Sequence, residues 1–208
     1  MKMNLPNKLT IFRMILVLVF LVVAYLPIEE YVIGFSVKLL VLDLIFIIAS
    51  ITDQLDGYIA RKTNQITTFG KFLDPIADKV LVLAALVIMC EMKLIQAWIP
   101  VIILTREFVV SGFRLVEAQK GIVIPASMWG KVKTATTMFA IIFLLLSGFK
   151  FGAFVGCFDS SVEGAMNCMP TSLAIFNGIG TVLMAVAVVA TIISGWDYLK
   201  GGKDLFND

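Results

Sequence analysis

The stretch DQLDGYIARKTNQITTFGKFLDPIAD, from Asp53 to Asp78, carries four aspartates in a chain that otherwise reads as hydrocarbon. Helix periodicity organises it. Asp53 and Asp56 are three residues apart, so on a helix their side chains share one face, with Cβ atoms about 5–6 Å apart. Gly57 and Ala60 continue that stripe at i+4 and i+7 from Asp53. After a short loop, Gly70, Asp74 and Asp78 recur every four residues. Pro75 follows Asp74 directly, where a first-turn proline helps to start a helix. Two neighbouring helices are therefore expected, each offering two carboxylates flanked by glycine or alanine. The small residues leave room beside the charges.

The rest of the chain sets the solvent around that stretch. Of its 208 residues 60% are hydrophobic and 15% charged, far from the balance of a soluble domain. Apolar runs of about 20 residues recur, each long enough to cross a bilayer core as a helix. Spans are expected at 9–26, 39–60, 74–93, 97–115, 129–148 and 172–198. The runs do not alternate apolar and polar residues, which argues against a membrane β-barrel. The expected fold is an all-α integral membrane protein, a bundle of six transmembrane helices forming a single domain over residues 1–208. The first run lacks a small-residue cleavage site and is interrupted by Arg13, so it reads as a retained span rather than a signal peptide.

Basic residues orient the bundle. One side would hold Lys2, Lys8, Arg13, Arg61, Lys62, Lys71, Lys79, Arg114, Lys120, Lys131, Lys133, Lys200 and Lys203, the other only Lys38, Lys93 and Lys150. Both termini and the 61–73 loop are therefore expected to be cytoplasmic, in a multi-pass protein of the cell membrane. The net charge is only +2, but the basic face suits anionic headgroups or anionic substrates. No basic domain could track a phosphate backbone, so nucleic acid is not an expected partner. The three cysteines, Cys90, Cys157 and Cys168, fall towards the outer face. Cys157 and Cys168 share the glycine-rich loop 149–170, either as a disulfide or as two free thiols. No cysteine has metal-ligand spacing and the chain has no histidine, which argues against zinc.

Four carboxylates at a membrane boundary repel one another unless cations compensate them. A set of surface acids paired with Arg61, Lys62, Lys71 and Lys79 would be the bland explanation. Four acids in register with small residues on two helices point instead to a site. Ligands that are all oxygen favour hard cations, Mg²⁺ or Mn²⁺. Four of them could support two ions about 3.5–4 Å apart, an arrangement that assists phosphoryl displacement. The active site is then expected at the cytoplasmic boundary.

These residues resemble the signature of the CDP-alcohol phosphotransferases, D-x2-D-G-x2-A-R-x8-G-x3-D-x3-D. Here it reads Asp53, Asp56, Gly57, Ala60, Arg61, Gly70, Asp74 and Asp78, with every spacing kept. The resemblance implies transfer of a phosphatidyl or related phosphoryl group from a CDP-linked donor to an alcohol, with release of CMP. It implies that Asp53, Asp56 and Asp74 bind divalent metal and that Asp78 is both ligand and general base. Asp56, Gly57, Ala60 and Gly70 would admit the cytidine nucleotide, and Arg61 would contact its diphosphate. A homodimer is implied in the same way.

Three further segments are similar to the phosphatidylglycerophosphate synthase branch of that family: NLPNKLTIFR (Asn4 to Arg13), REFVVSGFR (Arg106 to Arg114) and GKVKTATTM (Gly130 to Met138). The branch implies CDP-diacylglycerol as donor and sn-glycerol 3-phosphate as acceptor. The charges favour an anionic acceptor independently. Arg106 lies within an expected span, about two helical turns from Arg114, and an arginine there needs a partner or a wet cavity. Arg106, Arg114 and one or both of Lys131 and Lys133 would hold a phosphate, with Arg13 a further candidate. Alternatively Arg114, Lys131 and Lys133 touch lipid headgroups, and Arg13 snorkels. Glu107, adjacent to Arg106, could pair elsewhere but is expected to face away from Arg106. Other acceptors (inositol phosphate, serine or phosphatidylglycerol) are the nearest alternatives, and a divalent-cation transporter is a remoter one. Asp43 lies about 15 Å from Asp53 along the same helix and reads as an outer-side polar contact. Trp98, Trp129, Trp196 and Tyr198 fit an interfacial aromatic belt.

Overall fold

The computed structural model describes residues 5–32, 34–63, 68–119, 128–153, 155 and 170–201; for 5–7, 54–63, 68–75, 78, 114–119, 199 and 201 it describes the backbone alone. Six helices are present among the described residues: α1 (Leu5–Tyr25), α2 (Val37–Thr63), α3 (Thr68–Glu91), α4 (Trp98–Gln119), α5 (Met128–Ser147) and α6 (Thr171–Gly201). Each coincides with an expected span, within a few residues at most ends. The larger shift is at α3, which begins at Thr68 rather than near Asp74. Pro75 thus lies inside the helix and not in its first turn. The consequence is local, since proline cannot close the backbone bond to the residue four earlier. The helix continues past that gap.

Among the described residues, three helices are long and apolar enough to cross a bilayer: Lys8–Tyr25 of α1, Met128–Ser147 of α5 and Thr171–Tyr198 of α6. The chain is a helical membrane protein. The remaining three helices carry the charged residues of interest: Asp43, Asp53 and Asp56 on α2, Asp74 and Asp78 on α3, Arg106 and Glu107 on α4.

The chain divides into two compact units. The first comprises Met1–Leu94 with Leu145–Phe149, the second Ile95–Leu144 with Lys150–Asp208. In the first unit α1 packs on both α2 and α3, and α2 and α3 touch each other. The buried stripe of α1 is Thr10, Arg13, Val17, Phe20 and Ala24, at helical spacings of three and four. Leu42, Phe46 and Ala49 of α2 and Ala77, Leu81, Ala84, Ala85 and Ile88 of α3 complete the core. The opposite face of α1 is equally apolar, with Phe12, Ile15, Leu18 and Val22 exposed. Apolar character on all sides is what lipid-facing helices require. Between α1 and α2 lies a short antiparallel hairpin, Tyr31–Val32 with Phe35–Ser36.

In the second unit α4 packs on α6. Gly180 of α6 meets α5 so closely that an added Cβ would lie 2.9 Å from Leu144 Cγ and 3.0 Å from its backbone nitrogen. Phe143 and Phe176 stack beside that contact, their ring centroids 6.1 Å apart. The turn after α5 is tied to α6 by two hydrogen bonds. Buried Asn177 donates through Nδ2 to the Lys150 carbonyl (3.0 Å), and the Gly152 amide donates to Thr181 Oγ1 (3.0 Å).

Candidate active site

The eight signature positions fall on two helices of the first unit. Asp53, Asp56, Gly57, Ala60 and Arg61 are on α2, and Gly70, Asp74 and Asp78 are on α3. The side chains of Asp56, Ala60, Arg61, Asp74 and Asp78, and the surroundings of Gly57 and Gly70, lie outside the described residues. Asp53 is the signature carboxylate whose contacts are on view. Its Oδ1 is 2.6 Å from Nη1 of Arg13 on α1. The guanidinium is fully buried, whereas the Asp53 side chain keeps 28% of its surface exposed. The carboxylate therefore sits between a buried cation and an open side. Arg13, a candidate for the acceptor phosphate on sequence grounds, stands here on a candidate metal ligand.

Asp43, ten residues earlier on α2, is 3% exposed, and its Oδ1 finds no hydrogen-bond partner among the described residues. It belongs to the core of the first unit rather than to an outer polar contact.

The second unit gathers a different set. Arg106 of α4 donates through Nη2 to Ser194 Oγ of α6, and its guanidinium carbon lies 5.7 Å from the centroid of the Tyr198 ring. Only 11% of its side chain is exposed. Lys133 of α5 is buried and pairs with Glu107 Oε1, which is also 3.6 Å from Arg106 Nη1. One carboxylate thus draws an arginine and a lysine from two helices towards one point. Lys131 is exposed. Residues two apart on a helix do not share a face, so Lys131 and Lys133 cannot both turn inward. The Arg114 side chain lies outside the described residues. Beside Arg106, α4 and α6 border an apolar groove of about 660 Å³, lined by Val101, Ile102, Thr105, Val109, Ile192 and Trp196 among others.

Glu107 pairs elsewhere, as the sequence allows, but sequence reasoning did not identify Lys133 as its partner, and Glu107 also approaches Arg106. Adjacent helical residues point about 100° apart, which suggests that Arg106 and Glu107 face different ways. Long side chains close that angle when a third charge lies between them. The available signal was electrostatic. Between residues 92 and 158 the chain has only two acids, Glu107 and Glu117, and a buried lysine needs one of them.

Comparison with known proteins places this arrangement. A family model described as CDP-alcohol phosphatidyltransferase matches residues 3–193. A Bacillus subtilis (strain 168) protein named CDP-diacylglycerol–glycerol-3-phosphate 3-phosphatidyltransferase is 40% identical over 202 residues, covering 95% of this chain and 94% of the relative. A Haemophilus influenzae protein of the same name is 45% identical over 146 residues, 68% of this chain and 75% of its own. A third so named, from Rickettsia felis, is 34% identical over 203 residues, 98% and 97% of the two chains. The match runs through both units and through every helix that carries a candidate residue, and the chain belongs to the CDP-alcohol phosphatidyltransferase family.

Proposed function

We propose that this chain transfers a phosphatidyl group from CDP-diacylglycerol to sn-glycerol 3-phosphate, giving phosphatidylglycerophosphate and CMP. The observation that carries the reading is the eight-residue signature, kept at every spacing, in a chain whose near-full-length relatives are named for that reaction. The frame we propose is one domain over residues 1–208, with six membrane-spanning helices and both termini cytoplasmic. It would work as a homodimer in the cell membrane, with the reaction at the cytoplasmic face. There a soluble acceptor meets a donor whose acyl tails stay in lipid.

Asp53, Asp56, Asp74 and Asp78 would hold Mg²⁺ or Mn²⁺, two ions in the fullest arrangement. The donor set fits hard cations, being carboxylate oxygen alone, and Asp53 keeps an exposed side while Arg13 holds its Oδ1. When bound, the metal neutralises the donor diphosphate and stabilises CMP as it leaves. The protein residues do the rest. Gly57, Ala60 and Gly70 leave space for the nucleotide beside Asp56, and Arg61 contacts the diphosphate. Asp78 takes the proton from the acceptor hydroxyl as its oxygen attacks the phosphorus. The new P–O bond forms as the bond to CMP breaks.

Arg106 and Lys133, with Arg114 on the same helix as Arg106, bind the phosphate of the acceptor. Guanidinium groups match its oxygens in pairs. Arg13 is better placed with the carboxylates, given its contact with Asp53. Purified protein in detergent should release CMP from CDP-diacylglycerol only when an acceptor is added. Turnover with serine, inositol phosphate or phosphatidylglycerol but not with glycerol 3-phosphate would sink the choice of acceptor.

A further inference from the structure

We infer that Arg13 is a positioning residue for the metal site: from α1 it holds the Asp53 carboxylate, a candidate metal ligand on α2, in place. The inference rests on the reading of Asp53 as a metal ligand. Four observations carry it. Arg13 lies on the buried stripe of α1, between Thr10 and Val17, and none of its side chain is exposed. Its Nη1 is 2.6 Å from Asp53 Oδ1, an ion-pair separation. The contact joins two helices, α1 and α2, and α1 packs also on α3, which bears Asp74 and Asp78. Finally, burial is unequal across the pair, with the cation sealed and the carboxylate 28% exposed.

The chemistry follows from those facts. A guanidinium does not give up its proton in a protein, so Arg13 carries a permanent charge into the core. A buried permanent charge must be paired, and Asp53 is its partner. The contact restrains the Asp53 side chain from a helix that packs on both α2 and α3. Asp53 is then a candidate ligand with a preset orientation. Outer partners of this kind typically govern metal affinity by about 10–100-fold.

The test measures Mn²⁺ binding to the full-length protein in detergent, by electron paramagnetic resonance without substrates, alongside the metal dependence of CMP release. Arg13→Gln should weaken Mn²⁺ binding at least about tenfold. Arg13→Lys, which keeps the charge but not the planar fork, should recover part of that loss and guards against simple misfolding. The decisive comparison uses Asp53→Asn as background. If Arg13 acts through Asp53, Arg13→Gln adds less than about twofold there. An equal loss in both backgrounds overturns the inference, because Arg13 would then act independently of Asp53. Wild-type Mn²⁺ affinity in a stably folded Arg13→Gln protein overturns it as well. Wild-type affinity in Asp53→Asn alone overturns the metal reading of Asp53, and the inference with it.

Discussion

Lys133 of α5 and Glu107 of α4 form an ion pair in which the lysine is buried, while Lys131, two residues earlier, is exposed. The two lysines are identical in charge and two residues apart, so they isolate the effect of position. If the phosphate of the acceptor is held where Arg106 and Lys133 converge, only the inward lysine matters. Lys133→Met should raise the KM for glycerol 3-phosphate at least about tenfold, the scale of one hydrogen bond to a charged group. The KM for CDP-diacylglycerol should stay within about twofold. Lys131→Met should leave both within about twofold, as expected for an exposed charge. Equal effects of the two substitutions in a CMP-release assay would remove Lys133 from the acceptor pocket.

Arg106 has three neighbours of different kinds: the Ser194 hydroxyl, the Tyr198 ring and the Glu107 carboxylate. A planar guanidinium satisfies all three at once, and an ammonium does not. Arg106→Lys should therefore behave nearly like Arg106→Ala, with the acceptor KM raised at least about tenfold in both. Full rescue by lysine would show that charge alone is read at this position. A rise confined to the CDP-diacylglycerol KM would reassign Arg106 to the donor.

Much of this architecture is legible in the sequence, and the illegible parts share a cause. Runs of apolar residues place all six helices, because hydrocarbon length is a one-dimensional property. The signature residues fall on α2 and α3 as periodicity expects, because their spacing is internal to each helix. What periodicity cannot supply is a partner on another helix. Arg13 meets Asp53 across 40 residues and Glu107 meets Lys133 across 26, and both pairings depend on which helices pack together. The early start of α3 at Thr68 was hidden for a different reason. Pro75 reads as a helix opener, yet α3 begins seven residues before it and runs on through it.

Gly180 makes a stability prediction that is separate from chemistry. An alanine there would place its Cβ 2.9 Å from Leu144 Cγ and 3.0 Å from the Leu144 nitrogen. The leucine side chain can move but the backbone of α5 cannot readily do so. Gly180→Ala should destabilise the protein by about 1–3 kcal/mol, the usual cost of overpacking. Thermal unfolding in detergent reads it as a lowered Tm. Leu144→Ala in the same protein should recover only part of the loss, because the backbone contact remains. A Tm unchanged by Gly180→Ala would mean that α5 and α6 are further apart than described here.

Asp78 is the residue on which the proposed proton transfer rests, and its double role separates binding from turnover. Asparagine keeps the shape and one acceptor oxygen but cannot take a proton from the acceptor hydroxyl. Asp78→Asn should lower kcat at least about a hundredfold, the lower end of what a general base contributes. Donor binding, followed by retention of a CDP-diacylglycerol analogue, should fall far less. Chelation makes the complementary cut. Removal of divalent cations should abolish turnover of the unmodified enzyme, and Mg²⁺ or Mn²⁺ should restore it, as an all-oxygen donor set prefers. Turnover of Asp78→Asn that stays low at Mn²⁺ concentrations saturating its own metal binding assigns the loss to the base rather than to the metal site. Wild-type turnover by Asp78→Asn would remove Asp78 from that role and move the proton to another acceptor.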